Sequence, residues 1–313
     1  MKRVLVTGAT GFVGRHCLAP LVARGYEVHA VSTAGRPPAG DDTPRDVRWH
    51  ASDLLRAGAA ARLLAEVEPT HLLHMAWYAA PGKYWTAVEN LGWVRASLEL
   101  FEEFVRHGGR RAVSAGTCAE YDWTFGFCSE TLTPLAPATL YGNCKHALRL
   151  VMEAYARLSG VSAAWGRLFF LYGAHEHPDR LVSSVIRRML RRERVPCSHG
   201  RQVRDFLYVE DVADAFVALL ESAVEGAVNI ASGCPVALRE VVGLISQRLD
   251  GDDLVDFGAL AAPQGDPPFL LADVRRLNEE VGWRPRLSLS EGLAQTIEWW
   301  RSHAGVEARG SGD

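Results

Sequence analysis

Two groupings in this 313-residue chain have the residue types and spacing for chemistry. Tyr141-Gly142-Asn143-Cys144-Lys145 sets a phenol and an ammonium four residues apart, which puts both on one face of a helix. A nearby cation lowers the cost of forming a phenolate, so such a tyrosine can exchange a proton with a carbinol near neutral pH. The spacing recurs by chance in many helices and carries little weight alone. The second grouping is Gly8-Ala9-Thr10-Gly11-Phe12-Val13-Gly14. Glycines there permit backbone angles that a Cβ would obstruct, and they let main-chain N–H groups of residues such as Gly8, Thr10, Gly11, Phe12 and Val13 approach a pyrophosphate at a helix N-terminus. The turn follows an apolar strand pattern and opens a helix pattern about seven residues into the chain, so it reads as a dinucleotide site.

The cofactor is chosen at the end of the second strand, where an NAD-binding chain offers a carboxylate to the adenosine ribose. Val31-Ser32-Thr33-Ala34-Gly35-Arg36 holds no acid. Ser32 stands at the strand end, and the forked guanidinium of Arg36 suits a 2′-phosphate. The expectation is NADP(H); NAD(H) is admitted if Arg36 is only a solvated loop residue.

These groups need a scaffold. Lys2 to Thr7 (KRVLVT) is a short β-branched run, the stretch to Gly25 is helix-like, and Tyr26 to Ser32 (YEVHAVS) reads as a second strand. RLLAEVEPTHLLHMAW and FEEFVRHGGRRAVSAGT repeat helix then strand. Leu140 to Gly160 is a long helix pattern with a glycine stop, Ser162 to Phe170 another strand, and RQVRDFLYVEDVADAFVALLES with AVNIAS gives strand, helix, strand. Such alternation predicts an α/β fold with a doubly wound parallel sheet covered by helices on both faces. The basic helix pattern from Leu181 to Arg194 reads as a solvated face.

Composition narrows the partners. Lys plus Arg number 34 and Asp plus Glu 37, a formal charge of −3, which gives no footprint for nucleic acid or an anionic membrane. A small molecule is the expected partner. Six scattered cysteines show no metal or disulfide spacing. No metal is expected, and a reducing cytoplasm is. No run of about 18 apolar residues and no leader pattern occurs.

TGATGFVG, YGNCK and RQVRDFLYVEDVA, in that order and spacing, resemble the nucleotide-sugar epimerase, dehydratase and ketoreductase family within the extended short-chain dehydrogenases/reductases. VNIASG, DVRRLNEEVGWRPR and GLAQTIEWW resemble its later landmarks, so the likeness covers nearly the whole chain. The resemblance implies a Rossmann fold with a smaller C-terminal substrate domain: residues 1–170 rejoined by about 206–232, substrate-binding pieces at 171–205 and 233–304, and a flexible tail at 305–313. It makes Tyr141 the general acid/base and gives Lys145 two tasks, holding the nicotinamide ribose and lowering the tyrosine pKa. Thr117, in Ser114-Ala115-Gly116-Thr117-Cys118-Ala119-Glu120-Tyr121, becomes the hydroxyl partner of the reacting oxygen; the plainer reading is that it caps a turn. Asp53 and Leu54 resemble the pair contacting adenine, and Met75 and Ala76 belong to a strand-end segment near the cofactor. The neighbouring His74 reads as a satisfied core histidine. Arg204 resembles the arginine gripping the diphosphate, against a structural pair with Asp205 or Asp211, and Arg180-Leu181 begins a helix bordering the same group. Phe170 takes the place of a common asparagine. The aromatic loop from Trp77 and Tyr78 to Trp85 departs from the small residues usual there and reads as a pocket wall or lid. The family pairs through the Tyr/Lys helix and the preceding one, so a homodimer is implied.

In the family's 4,6-dehydratases an acid and a base follow the active-site threonine. Cys118 and Ala119 stand in those places here, with Glu120 one residue further. Simple dehydration is disfavoured, and the missing ribose carboxylate tips the reading to NADPH-dependent reduction of a keto group on a nucleotide-linked deoxysugar. The alternatives are a nucleotide-sugar epimerase or modified dehydratase with retained cofactor, and a dinucleotide sensor, which would not need Tyr141, Lys145 and Thr117 together.

Overall fold

A computed structural model describes residues 2–38, 43–262 and 265–303; the tail expected at 305–313 lies outside them. In chain order the strands are β1 (Arg3–Thr7), β2 (Glu27–Ser32), β3 (Arg48–Ala51), β4 (His71–His74), β5 (Arg111–Thr117), β6 (Phe127–Cys128), β7 (Ser162–Leu168), β8 (Phe170–Tyr172), β9 (Val195–Cys197), β10 (Val203–Tyr208), β11 (Gly226–Ile230), β12 (Pro235–Ala237), β13 (Val255–Phe257) and β14 (Phe269–Ala272). The α-helices are α1 (Gly14–Ala23), α2 (Ala59–Val67), α3 (Glu89–Arg106), α4 (Leu140–Ser159), α5 (Leu181–Leu190), α6 (Val209–Glu221), α7 (Leu238–Arg248) and α8 (Leu289–His303).

Seven strands form a wholly parallel sheet in the order β11-β7-β5-β4-β1-β2-β3. The chain winds outward from β1 to β3, then crosses back to β4 and winds the other way. This reversal leaves a crevice at the carboxyl ends of β1 and β4, where open α/β sheets bind ligands. The expected α/β, doubly wound Rossmann fold is thus the one observed.

Period-two alternation sorts the strand side chains between two helical layers. Val4 and Val6 of β1 join Leu18 and Leu21 of α1 and Phe216 of α6 on one face. Leu5 points the other way, into a cluster with Leu64 of α2, Phe101 and Phe104 of α3, and Leu148 and Met152 of α4. A five-stranded sheet, with β10 at its centre, combines β12, β14, β6 and β8. Helices α5, α7 and α8 pack beside it on Val185, Ile186, Val241, Ile245 and Ile297. The strand expected from Ser162 to Phe170 divides: β7 ends at Leu168 in the large sheet, and β8 pairs in register with β10 in the other. Both pieces are apolar, so periodicity gave no sign of the change of sheet. Among the described residues no helix is long and apolar enough to cross a membrane.

His74 closes the top of β4 as a buried, satisfied residue. Its ring bonds Thr7 Oγ1 at 2.6 Å and Ser97 Oγ at 2.8 Å, and burial, with Lys145 nearby, pushes its pKa down to about 3. A histidine held neutral by the fold contributes stability that is complete above its ordinary pKa and is lost as pH falls toward the depressed value. Between pH 7 and pH 5 this costs about 2 kcal/mol. In urea unfolding, His74→Gln, which cannot titrate, is therefore expected to lose less stability over that interval than wild type by about that amount; parallel losses would count against it.

Candidate active site

The glycine turn connects β1 to α1 as a tightly folded cradle. Gly8 has φ +67°, and a Cβ on Gly14 would stand 2.1 Å from the Gly8 carbonyl oxygen, so nothing larger than glycine fits. Thr7 ties this turn to the end of β4: its carbonyl accepts from Met75 N at 3.2 Å and its hydroxyl from Ala76 N at 3.3 Å. The turn opens on a deep cleft of about 1590 Å³ between the two sheets. Gly8, Thr10, Gly11, Phe12, Val13, Ser32, Asp53, Leu54, Met75 and Ala76, all expected at the cofactor, line it. Arg36 does not: it is exposed, with its backbone N–H bonded to Ser32 Oγ, and the cleft wall at that strand end is Ser32 and Thr33.

Tyr141, Lys145 and Thr117 converge on the same cleft. Helix α4 begins with Thr139, whose hydroxyl accepts from Gly142 N at 3.1 Å, and it approaches the turn after β5 so closely that a Cβ on Gly142 would lie 2.4 Å from Ala119 O. That contact carries Tyr141 to Thr117, whose hydroxyl bonds the phenol and favours its ionised form, although burial still raises the tyrosine pKa overall. Thr117 is also a cap: its Oγ1 accepts from Ala119 N at 3.2 Å. Lys145 is buried, donates from Nζ to Ala115 O at 2.7 Å, and stands 3.8 Å from the centre of the Trp77 ring. Burial pushes its pKa down to about 7, with Glu120 pulling the other way.

The aromatic loop lies over these residues. Tyr84 meets the Tyr141 ring edge-on at 4.9 Å and Trp85 does so at 5.8 Å, while Tyr141 N donates to Trp85 O. Trp77, Tyr84 and Trp85 face the cleft, but Tyr78 is not part of its lining. Cys118, Phe170, Arg180, Leu181 and Arg204 are. Burial pushes the Cys118 thiol up, so it stays protonated. Phe170 packs on Phe206 and beneath the Arg204 guanidinium. Arg204 pairs with neither Asp205 nor Asp211. Its partner is Asp266, at 2.5 Å; Asp205 instead accepts from Ser232, Gly233 and Ala272, and Asp211 pairs with Arg286. Exposed Arg180 lies over Tyr84 at 5.5 Å.

Glu120 is excluded as a recruited base. It is fully buried, its Oε1 accepts from Thr117 N at 3.0 Å and Trp165 Nε1 at 2.7 Å, and its Oε2 accepts from Arg167 Nε at 3.0 Å. Arg167 continues to Tyr121 OH, which donates to Asn229 Oδ1. Trp165, Arg167 and Asn229 are all distant from Glu120 in sequence, so this support was missed. Asn90, Trp123 and Glu176 were missed as well. Glu176 lines the cleft with its pKa pushed up to about 7 by burial, against the Ser183 hydroxyl. A lone asparagine, tryptophan or glutamate in such segments has no spacing signal to find it by.

With this geometry in view, the likeness to known proteins is informative. A family model described as the NAD dependent epimerase/dehydratase family matches residues 4–231. UDP-glucuronic acid decarboxylase 1 of Xenopus tropicalis is 28% identical over 311 residues, 96% of this chain and 72% of that protein. The dTDP-glucose 4,6-dehydratase of Streptomyces antibioticus is 28% identical, covering 96% and 92%. Among solved structures, MoeE5 in complex with UDP-glucuronic acid and NAD is 32% identical, covers 96% of this chain and 99% of its own, and superposes with a TM-score of 0.81.

Removing the Glu120 carboxylate would strand the Arg167 guanidinium in the interior. Glu120→Ala is expected to destabilise the chain by roughly 3–5 kcal/mol in chemical denaturation; a loss below about 1 kcal/mol, the scale of an exposed pair, would mean that the network is not structural.

Proposed function

The chain belongs to the NAD dependent epimerase/dehydratase family and is an enzyme of the extended short-chain dehydrogenase/reductase type, and on that premise we propose that it epimerises a nucleotide-linked sugar with retained NAD. The observation that carries this reading is that Tyr141 with Thr117 is the one acid–base pair at the turn after β5, where the family's dehydratases carry a second. Tyr141 with Thr117 can move one proton at one carbinol, whereas the positions that would expel water hold a protonated thiol, Cys118, and Ala119. Glu120, the next acid, is committed to Arg167. Oxidation of a carbinol followed by return of the hydride to the same carbon needs no second pair. Net reduction of a keto sugar was expected from the missing ribose carboxylate, and Arg36, the group that would take a 2′-phosphate, stands outside the cleft lining. NAD is favoured over NADP on the same ground, and MoeE5 is known with NAD bound.

The glycine cradle, which a Cβ would fill, fits a dinucleotide. When bound, NAD supplies the hydride acceptor and donor and, oxidised, a positive charge that favours the phenolate. Tyr141 then takes the carbinol proton and later gives it back to the keto oxygen. Thr117 hydrogen-bonds that oxygen throughout. Lys145 holds the nicotinamide ribose. Arg180, at the N-terminus of α5, faces the substrate diphosphate, and Arg204 joins it by exchanging Asp266 for phosphate oxygens. The second sheet with α5, α7 and α8 is the substrate-binding part. We also propose that two copies pair through α3 and α4, where Val88, Leu91, Leu150, Val151 and Leu158 are exposed, and that the enzyme works in the cytoplasm, which suits six unpaired cysteines.

Incubation with UDP-glucose or UDP-glucuronic acid and no added NADPH is expected to give an epimer, by NMR, without accumulation of reduced nicotinamide. Tyr141→Phe should slow turnover roughly 10²–10⁴-fold while leaving cofactor bound. Stoichiometric NADPH consumption would restore the reductase, and carbon dioxide release would favour a decarboxylase.

A further inference from the structure

Trp77 stands where the sequence suggests a pocket wall for the sugar, yet its ring face is turned to Lys145. The ammonium nitrogen lies 3.8 Å from the ring centre, well inside the range of a cation–π contact. The indole is fixed in that orientation: its N–H donates to Asn90 Oδ1 at 2.7 Å, and Asn90, fully buried at the start of α3, donates in turn to Tyr84 O and Ala87 O at 2.8 Å each. One side chain thus anchors both ends of the loop and fixes the ring against the lysine.

We propose that Trp77 is a positioning residue that keeps Lys145 charged and aimed through the face of its indole. Among the described residues Lys145 has a single hydrogen bond of its own, to the Ala115 carbonyl oxygen, and it is 4% exposed, at the cleft. The titratable groups around it are Glu120 on the turn after β5, His74 at the end of β4 and Tyr141 one helical turn back. Glu120 is shared with Arg167 of β7 and, at 3.7 Å, Arg149 of α4; His74 is neutral; the Trp165 ring of β7 is further away, at 5.8 Å. Trp77 is therefore the nearest aromatic face to a charge whose carboxylate neighbour already balances other cations. The catalytic part of the proposal rests on Lys145 working at the cofactor ribose, as in the reading above.

The chain has only three lysines, Lys2, Lys83 and Lys145, so full-length protein labelled with [13C]lysine gives three Cε signals that can be titrated by NMR after removal of bound nucleotide. Lys145 is expected to titrate near 7 in wild type. In Trp77→Leu, which keeps an apolar side chain but loses the ring face, the midpoint should fall by about one pH unit. Trp77→Phe, which keeps a ring but cannot bond Asn90, should stay close to wild type. The alkaline limb of the turnover–pH profile should move to lower pH in the same order. An unchanged midpoint in Trp77→Leu, or equal falls in both variants, would overturn the proposal. Expected titrations in a protein that turns over no nucleotide sugar would instead tell against the epimerase reading and leave the Trp77 contact standing.

Discussion

A carboxylate buried without a counter-charge would cost several kcal/mol, and Glu120 avoids that cost by binding three groups on two strands. It holds the amide of Thr117 at the end of β5, the indole of Trp165 and the guanidinium of Arg167 on β7. Arg167 passes the connection to Tyr121 and Asn229, and Asn229 donates to the Cys128 carbonyl in β6 and to the Asp273 carbonyl just after β14. One chain of hydrogen bonds thus joins the large parallel sheet to the smaller one beneath the cleft. Thr117 can face the reacting oxygen because the main chain behind it is fixed.

That commitment decides what the site can do. A carboxylate three residues from the active-site threonine looks available as a base in the sequence, and its buried partners remove it. Cys118 is protonated and Ala119 has no group to offer, and the proposed reading therefore gives proton transfer to Tyr141 with Thr117. The aromatic loop adds the other half of the arrangement. Trp77 faces the lysine, and Tyr84 and Trp85 meet the tyrosine; burial pushes the Lys145 pKa down and the indole face opposes it, and on the proposed reading the phenolate depends on charge brought by the cofactor. A site of this kind favours a hydride that leaves and returns over chemistry needing a second acid and base.

Much of this was legible before the structure. Local spacing and strand–helix alternation gave the glycine cradle, the winding of the sheet, helix α4 and its stop at Gly160, since these depend on near neighbours and on period. The resemblance drew Thr117 into the site. What escaped notice depends on distant pairings. The switch from β7 to β8 passes through continuous apolar sequence. Arg204 meets Asp266 across 62 residues, where the sequence offered nearer acids, and Glu120 meets Arg167 across 47. Arg36 looked like a cofactor-selecting residue by type alone, and it stands exposed, outside the cleft lining. Trp77 lines the cleft as expected, but its contact with Lys145 was not legible, because sequence shows that a ring is present but not which way it faces.

On the proposed reading, hydride leaves one carbon and returns to it with nothing else exchanged. It is tested most directly by turning over UDP-glucose and UDP-glucuronic acid deuterated at every ring carbon, in ordinary water without added cofactor, and analysing the product by mass spectrometry. An epimer that keeps every deuterium is the predicted result. A product that has lost ring label to solvent, or label left on released reduced nucleotide, would contradict it.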